Sequence, residues 1–177
     1  MGGKDKPNPK VQLLIFIVKA LTLAIWFATL VSFLLAKPGA QNKNVLTYLL
    51  TGSTQLKLTE MEMLHMQDVR TWFLVLELAS FVWVIPQDVY PGRRASVIIL
   101  LLTLGFVTIT LLRFDSVWNY MHHVLFRNQL WILPIDSYLI EHFFDTFLPA
   151  VVSGFGIWIL LWLKTLLPVS SFSNSKM

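Results

Sequence analysis

Leu13-Leu-Ile-Phe-Ile-Val-Lys19-Ala-Leu-Thr-Leu-Ala-Ile-Trp26-Phe-Ala-Thr-Leu-Val-Ser-Phe-Leu-Leu35 is an apolar run broken by one charge. A helix needs about 20 such residues to cross the hydrocarbon of a bilayer. This stretch is therefore read as a membrane span. Lys4, Lys6 and Lys10 precede it, as bases precede a secretory signal. The run is too long for a signal core, however, and Ala36-Lys37-Pro38 is a poor cleavage site, so an uncleaved anchor is expected. Composition agrees along the whole chain. Of 177 residues, 55% are hydrophobic and only 14% charged, against about 25% charged in soluble domains. The mean hydropathy is +0.64.

Working outward, three further apolar segments follow. The expected architecture is all-α, a single membrane domain over residues 1–177. It has four transmembrane helices at about 13–35, 70–87, 96–113 and 147–167. Short interfacial helices are expected in the loops 36–69 and 114–146. Trp72, Trp83, Tyr90 and Phe114 at the ends of the middle spans suit aromatic belts. The tail Ser170–Met177 reads as disordered.

Charge sets the orientation. Lys4, Lys6, Lys10, Arg93, Arg94, Lys164 and Lys176 fall on regions that alternate to one side, opposed there by Asp5 and Asp88. The other two connections hold Glu60, Glu62, Asp68, Asp115, Asp136, Glu141 and Asp145, with a similar number of bases. The positive-inside rule puts both termini in the cytoplasm and both long loops outside. The net charge of +4 is thus read as topology. No Lys/Arg cluster has the aromatic interleaving of a nucleic-acid surface, and no nucleic-acid partner is expected. Lys19 and Glu77 fall inside spans. Lys19 can snorkel to the inner surface, and Glu77 could pair with it or with a polar group of a site.

The chemistry-bearing residues lie in the outer loops. Thr59-Glu-Met-Glu62 reads as a capping box starting a helix that runs into the second span. His65 falls in its second turn, with Glu62 and Asp68 three residues to either side. Both carboxylates are expected near the imidazole, fixing its tautomer and raising its basicity. In the second loop, Asp115 or Ser116 can cap a helix through Phe126 that carries His122 and His123. A further helix starts at Asp136 or Ser137. Trp118, Tyr120, Phe126, Trp131 and Tyr138 suit segments lying in the interfacial plane.

Several enzyme classes lack support. The chain has no cysteine, hence no thiol nucleophile, disulfide or thiolate metal site. It has no Gly-x-Ser-x-Gly elbow and no His-Glu-x-x-His zinc helix. The spacing of His65, His122, His123 and His142 demands no metal, and neither metal nor cofactor is expected. Histidines with carboxylate helpers suit general acid/base catalysis on a substrate that brings its own nucleophile. The alternative is a non-catalytic membrane protein whose outer histidines bind haem, quinone or metal.

The motifs carry a resemblance. Tyr48-Leu49, Glu62-x-x-His65-Met66-Gln67-Asp68-Val69, Phe114-Asp115, His122, Phe126, Trp131 and Leu139-Ile140 follow, in order, the pattern of a bacterial four-span membrane family. That family contains the lipoprotein intramolecular transacylase. Met121 stands where the family has an aromatic, and His123 adds a second histidine. The resemblance implies an acyltransferase of the bacterial cell membrane, a monomer working at the outer leaflet. Its partners are a diacylated lipoprotein N-terminus and membrane lipid. The reaction moves the sn-2 acyl chain of an S-diacylglyceryl cysteine to that cysteine's α-amine. It implies His65 and His122 as catalytic, one as base and the other as oxyanion stabiliser or acid. Glu62, Asp68, Tyr48, Trp131 and His123 would support them.

Overall fold

The computed structural model describes residues 8–53, 55–85 and 91–167. Within them the chain is helical: α1 (Pro9–Leu35), α2 (Asn42–Thr51), α3 (Glu60–Ser80), α4 (Arg93–Leu112), α5 (Phe114–Leu125), α6 (Tyr138–Phe143) and α7 (Phe147–Lys164). A 3-10 turn, Phe81–Val84, extends α3, and another, Phe144–Thr146, joins α6 to α7. No strand is present among the described residues.

Three helical stretches among the described residues are long and apolar enough to cross a membrane: Pro9–Leu35, Arg93–Leu112 and Tyr138–Lys164. The four spans expected from the sequence are thus three by length and composition. The second expected span, α3, has 21 residues but carries Glu60, Glu62, Asp68, Arg70 and Glu77. Those charges remove it from the apolar class. It nonetheless lies beside α1 along much of its length. Phe73 meets Trp26 edge-on at 5.1 Å, and the Trp26 indole donates to Ser80 Oγ at 2.9 Å. Lower down, Lys19 Nζ donates to the Ile85 carbonyl and sits 5.5 Å above the Trp83 ring. The Lys19–Glu77 pairing, one of the partners open to Glu77 in the sequence, does not form; the lysine is held by that freed helix-end carbonyl. Trp83, expected in an interfacial belt, turns inward and donates to Thr22 Oγ1 at 3.0 Å. Tyr90, Asp88, Lys4, Lys6, Asp5, Lys176 and the tail lie outside the described residues.

Small residues let α1 and α7 meet closely. A Cβ at Gly154 would stand 3.0 Å from the Ala24 carbonyl and 3.1 Å from the Ala28 Cβ. Between apolar helices in lipid there is little hydrophobic gain, so close packing and interhelical hydrogen bonds hold the bundle. Ser32 meets Thr146 at 2.7 Å, Trp158 donates to Thr103 at 2.9 Å, and Thr165 donates to Ser96 at 2.7 Å.

At the other end, α2 packs on α3. Val45, Tyr48, Leu49, Leu56, Met66 and Phe73 form a buried cluster, flanked by Trp26, Phe33, Leu139 and Phe143. Gly52 closes α2 at φ 76° with its N–H on the Tyr48 carbonyl, the left-handed cap that glycine adopts freely. The capping box of α3 is present. Thr59 Oγ1 accepts from the Glu62 N–H at 3.3 Å, and Glu62 Oε2 accepts from the Thr59 N–H at 2.8 Å. Ser137 caps α6 as expected, accepting from the Ile140 N–H at 3.3 Å. The caps expected for α5 do not form. Arg113, at φ −140° and ψ 44°, breaks the chain after α4, and α5 begins directly at Phe114 with no side-chain cap.

Candidate active site

α5 crosses from the end of α4 to the start of α3, and that crossing builds the site. Two bonds pin its far end. Trp72 Nε1 donates to the Leu125 carbonyl at 2.9 Å, and Asn128 Nδ2 donates to Asp68 Oδ2 at 2.8 Å. His122 is thereby carried toward His65. The Phe126 ring lies between them, 5.2 Å from His65 and 5.6 Å from His122.

His122 is buried in an aromatic box. Its ring lies 4.1 Å from that of Trp118 and 4.7 Å from that of Trp131. Its Nδ1 is 2.9 Å from the Trp118 carbonyl. A carbonyl can only accept, so Nδ1 carries the hydrogen and the neutral ring keeps its lone pair on Nε2. Burial pushes the His122 pKa below the ordinary 6.5; the bond to Trp118 acts the other way, and the nearby His123 adds to the lowering. His65 is also lowered, first by burial and then by the His122 charge, against the opposing pull of Asp68. Near neutral pH both rings are neutral bases. His65 Nδ1 is buried with no hydrogen-bond partner, an arrangement that costs about 1–3 kcal/mol.

The remaining expected residues divide. Asp68 acts on His65 through its charge while its carboxylate bonds to Asn128. Trp131 packs on His122 and meets His123 edge-on at 5.6 Å; its indole N–H is buried and unpartnered. His123 faces out and is exposed. Tyr48 stands apart, in the buried cluster with Met66. Glu62 does not contact the imidazole as expected. It is 1% exposed, and Oε2 accepts from both the N–H and the hydroxyl of Thr59. Oε1 accepts from the Leu139 N–H at 3.1 Å. Burial alone would raise its pKa, but the bonds from Thr59, Leu139 and Tyr138 outweigh it and hold the carboxyl below 4.5. Glu62 thus joins the start of α3 to the start of α6.

Trp118 and Asn128 were not among the expected site residues. Trp118 stands four residues before His122, so the helical spacing that stacks the two rings was present in the sequence. No local pattern pairs Asn128 with Asp68, 60 residues away.

A family model described as lipoprotein intramolecular transacylase Lit matches residues 39–148. Those limits enclose α2 to α6 and every residue of the histidine site. No curated protein and no solved structure matches the chain.

Proposed function

The chain belongs to the lipoprotein intramolecular transacylase family, and we propose from that membership that it carries out the O-to-N acyl transfer itself. The observation that supports this reading most is the meeting of two neutral imidazoles from separate helices, His65 of α3 and His122 of α5, around Phe126.

The substrate is a lipoprotein whose N-terminal cysteine bears an S-diacylglyceryl group. Its α-amine has a pKa of about 8, so much of it is ammonium at neutral pH. The ammonium first loses one proton to solvent; as the neutral amine nitrogen attacks the sn-2 ester carbonyl carbon, one histidine takes a second proton from it. A C–N bond forms, and the carbonyl oxygen becomes an oxyanion beside the second imidazole. Collapse breaks the bond to the glyceryl oxygen, which takes up the proton. An ester and an amine become an amide and an alcohol, with no water consumed. Nucleophile and electrophile belong to one molecule, so positioning supplies much of the rate. His122, with its free lone pair on Nε2, and His65 are both suited to the proton transfers.

The reading includes placement. The fourth crossing begins at about residue 70, in the later part of α3, and includes its 3-10 turn. Both termini lie in the cytoplasm of a bacterial cell, the histidines lie at the outer leaflet, and the enzyme works as a monomer.

His65→Ala and His122→Ala should each erase lyso-lipoprotein in cells co-expressing a reporter lipoprotein, read by mass spectrometry of its N-terminal lipopeptide. Loss of a general base typically costs roughly 10²–10⁴-fold. His123→Ala should be milder, since on a helix it points about 100° from His122. Full activity of both alanine variants, at matched protein levels, would exclude the two-histidine mechanism.

A further inference from the structure

A cavity of about 500 Å³, open along one side where Leu102 is 64% exposed, lies between α1, α4 and α7. It is lined by residues between Leu21 and Thr29 of α1, Ile99 and Phe106 of α4, and Val151 and Trp158 of α7. Along α1 that is eight residue rises, about 12 Å of helix. All three helices belong to the stretches apolar enough to cross a membrane, and the cavity occupies their middle turns.

Its chemistry selects hydrocarbon. Three of its lining side chains have a polar atom, and each polar atom is already bonded within the wall. Thr29 Oγ1 donates to the Ile25 carbonyl at 2.9 Å. Thr103 Oγ1 donates to the Ile99 carbonyl at 2.8 Å and accepts from the Trp158 indole at 2.9 Å. A quinone oxygen or a phosphate would find no free donor there and would be left unpaired.

The cavity also leads to the histidines. Its outer end is Val151, one helical turn below Phe147 on the same face of α7. The Phe147 ring meets Trp118 at 4.2 Å, and Trp118 meets His122 at 4.1 Å. Apolar side chains thus follow one another from the cavity through Phe147 and Trp118 to His122.

We propose that this cavity holds the migrating acyl chain of the substrate, with the chain rising past Phe147 and Trp118 so that its ester carbonyl lies at His122. This rests on the transacylase reading above and adds to it the site that measures the chain. A chain seated at its tail places its carbonyl by its length, and a misplacement of about 1 Å at a reacting centre can cost on the order of 10²-fold in rate.

The test fills the cavity. Leu102→Trp and Val151→Phe are assayed in membranes against reporter lipopeptides carrying decanoyl or palmitoyl chains. Leu111→Trp, on the same helix as Leu102 but outside the lining, serves as control. Both cavity variants should lower the palmitoyl rate relative to the decanoyl rate on the order of 10²-fold, while the control keeps the wild-type ratio. An unchanged ratio in the cavity variants would show that bulk phospholipid fills the space and would overturn the proposal. An equal loss for both chain lengths would overturn it too, assigning the cavity to packing. In either case a wild-type protein active on both lipopeptides leaves the transacylase reading standing. A wild-type protein inactive on both removes that reading itself.

Discussion

His122 donates from Nδ1 to the Trp118 carbonyl, and burial holds both it and His65 below the ordinary histidine pKa. A lowered pKa keeps the base form populated as pH falls, so neither ring should gain its proton until the pH is below 6.5. Proton NMR of ring-labelled protein in detergent should show both midpoints there. The neighbours give signed tests. Asp68 raises His65, so Asp68→Asn should move that midpoint further down. His123 lowers His122, so His123→Ala should move that one up. Midpoints at or above 6.5 would mean that the imidazoles are solvated and the buried pair is wrong. The individual histidines were legible in the sequence because titratable groups beside apolar segments stand out. The tautomer of His122 follows from one carbonyl four residues earlier, a relation visible only once the helix is known.

Glu62 is the point at which two elements are tied together. Its carboxylate closes the capping box of α3 and accepts from the N–H of Leu139 in α6. The Thr59–Glu62 spacing announced the first role, since a capping box is a local pattern. The second joins residues 77 positions apart and has no sequence signature. Glu62→Gln would present an amide NH₂ toward backbone donors and should lower stability by roughly 1–3 kcal/mol, the cost of leaving a buried polar group unpaired. It should leave the His65 midpoint in place. A variant that melts as wild type but shifts the His65 titration would restore Glu62 to the imidazole. The tie should hold at neutral pH, because the carboxyl is held below 4.5, and should weaken only in acid below that value. By contrast, the exposed Lys37–Asp145 pair at 2.9 Å contributes about 0–1 kcal/mol.

For the molecule as a whole, the charge asymmetry predicts which faces meet water. Single cysteines replacing Lys43 and Gln129 should react with an impermeant thiol reagent in intact cells, while one replacing Arg94 should react only after permeabilisation. The chain's lack of cysteine makes the background blank. Arg94 labelled from outside, with the other two protected, would invert the topology. Labelling of the Lys43 and Arg94 positions in intact cells, with the Gln129 position protected, would show that α3 does not cross while α4 does. Sequence alone determined that the chain is helical with apolar segments fit for a membrane, where α3 and α6 are capped, and which histidines stand beside those segments. Those features depend on composition and on contacts within a turn or two of helix. The tertiary structure alone decided that α5 bridges α4 and α3, that Asp68 serves Asn128, that Glu62 serves Leu139, and that Lys19 bonds to Ile85 rather than to Glu77. It also opened a hydrocarbon-lined cavity behind Phe147. Each of these joins residues far apart in the chain, and a pairing between distant residues is set by how the helices pack, which no local spacing encodes.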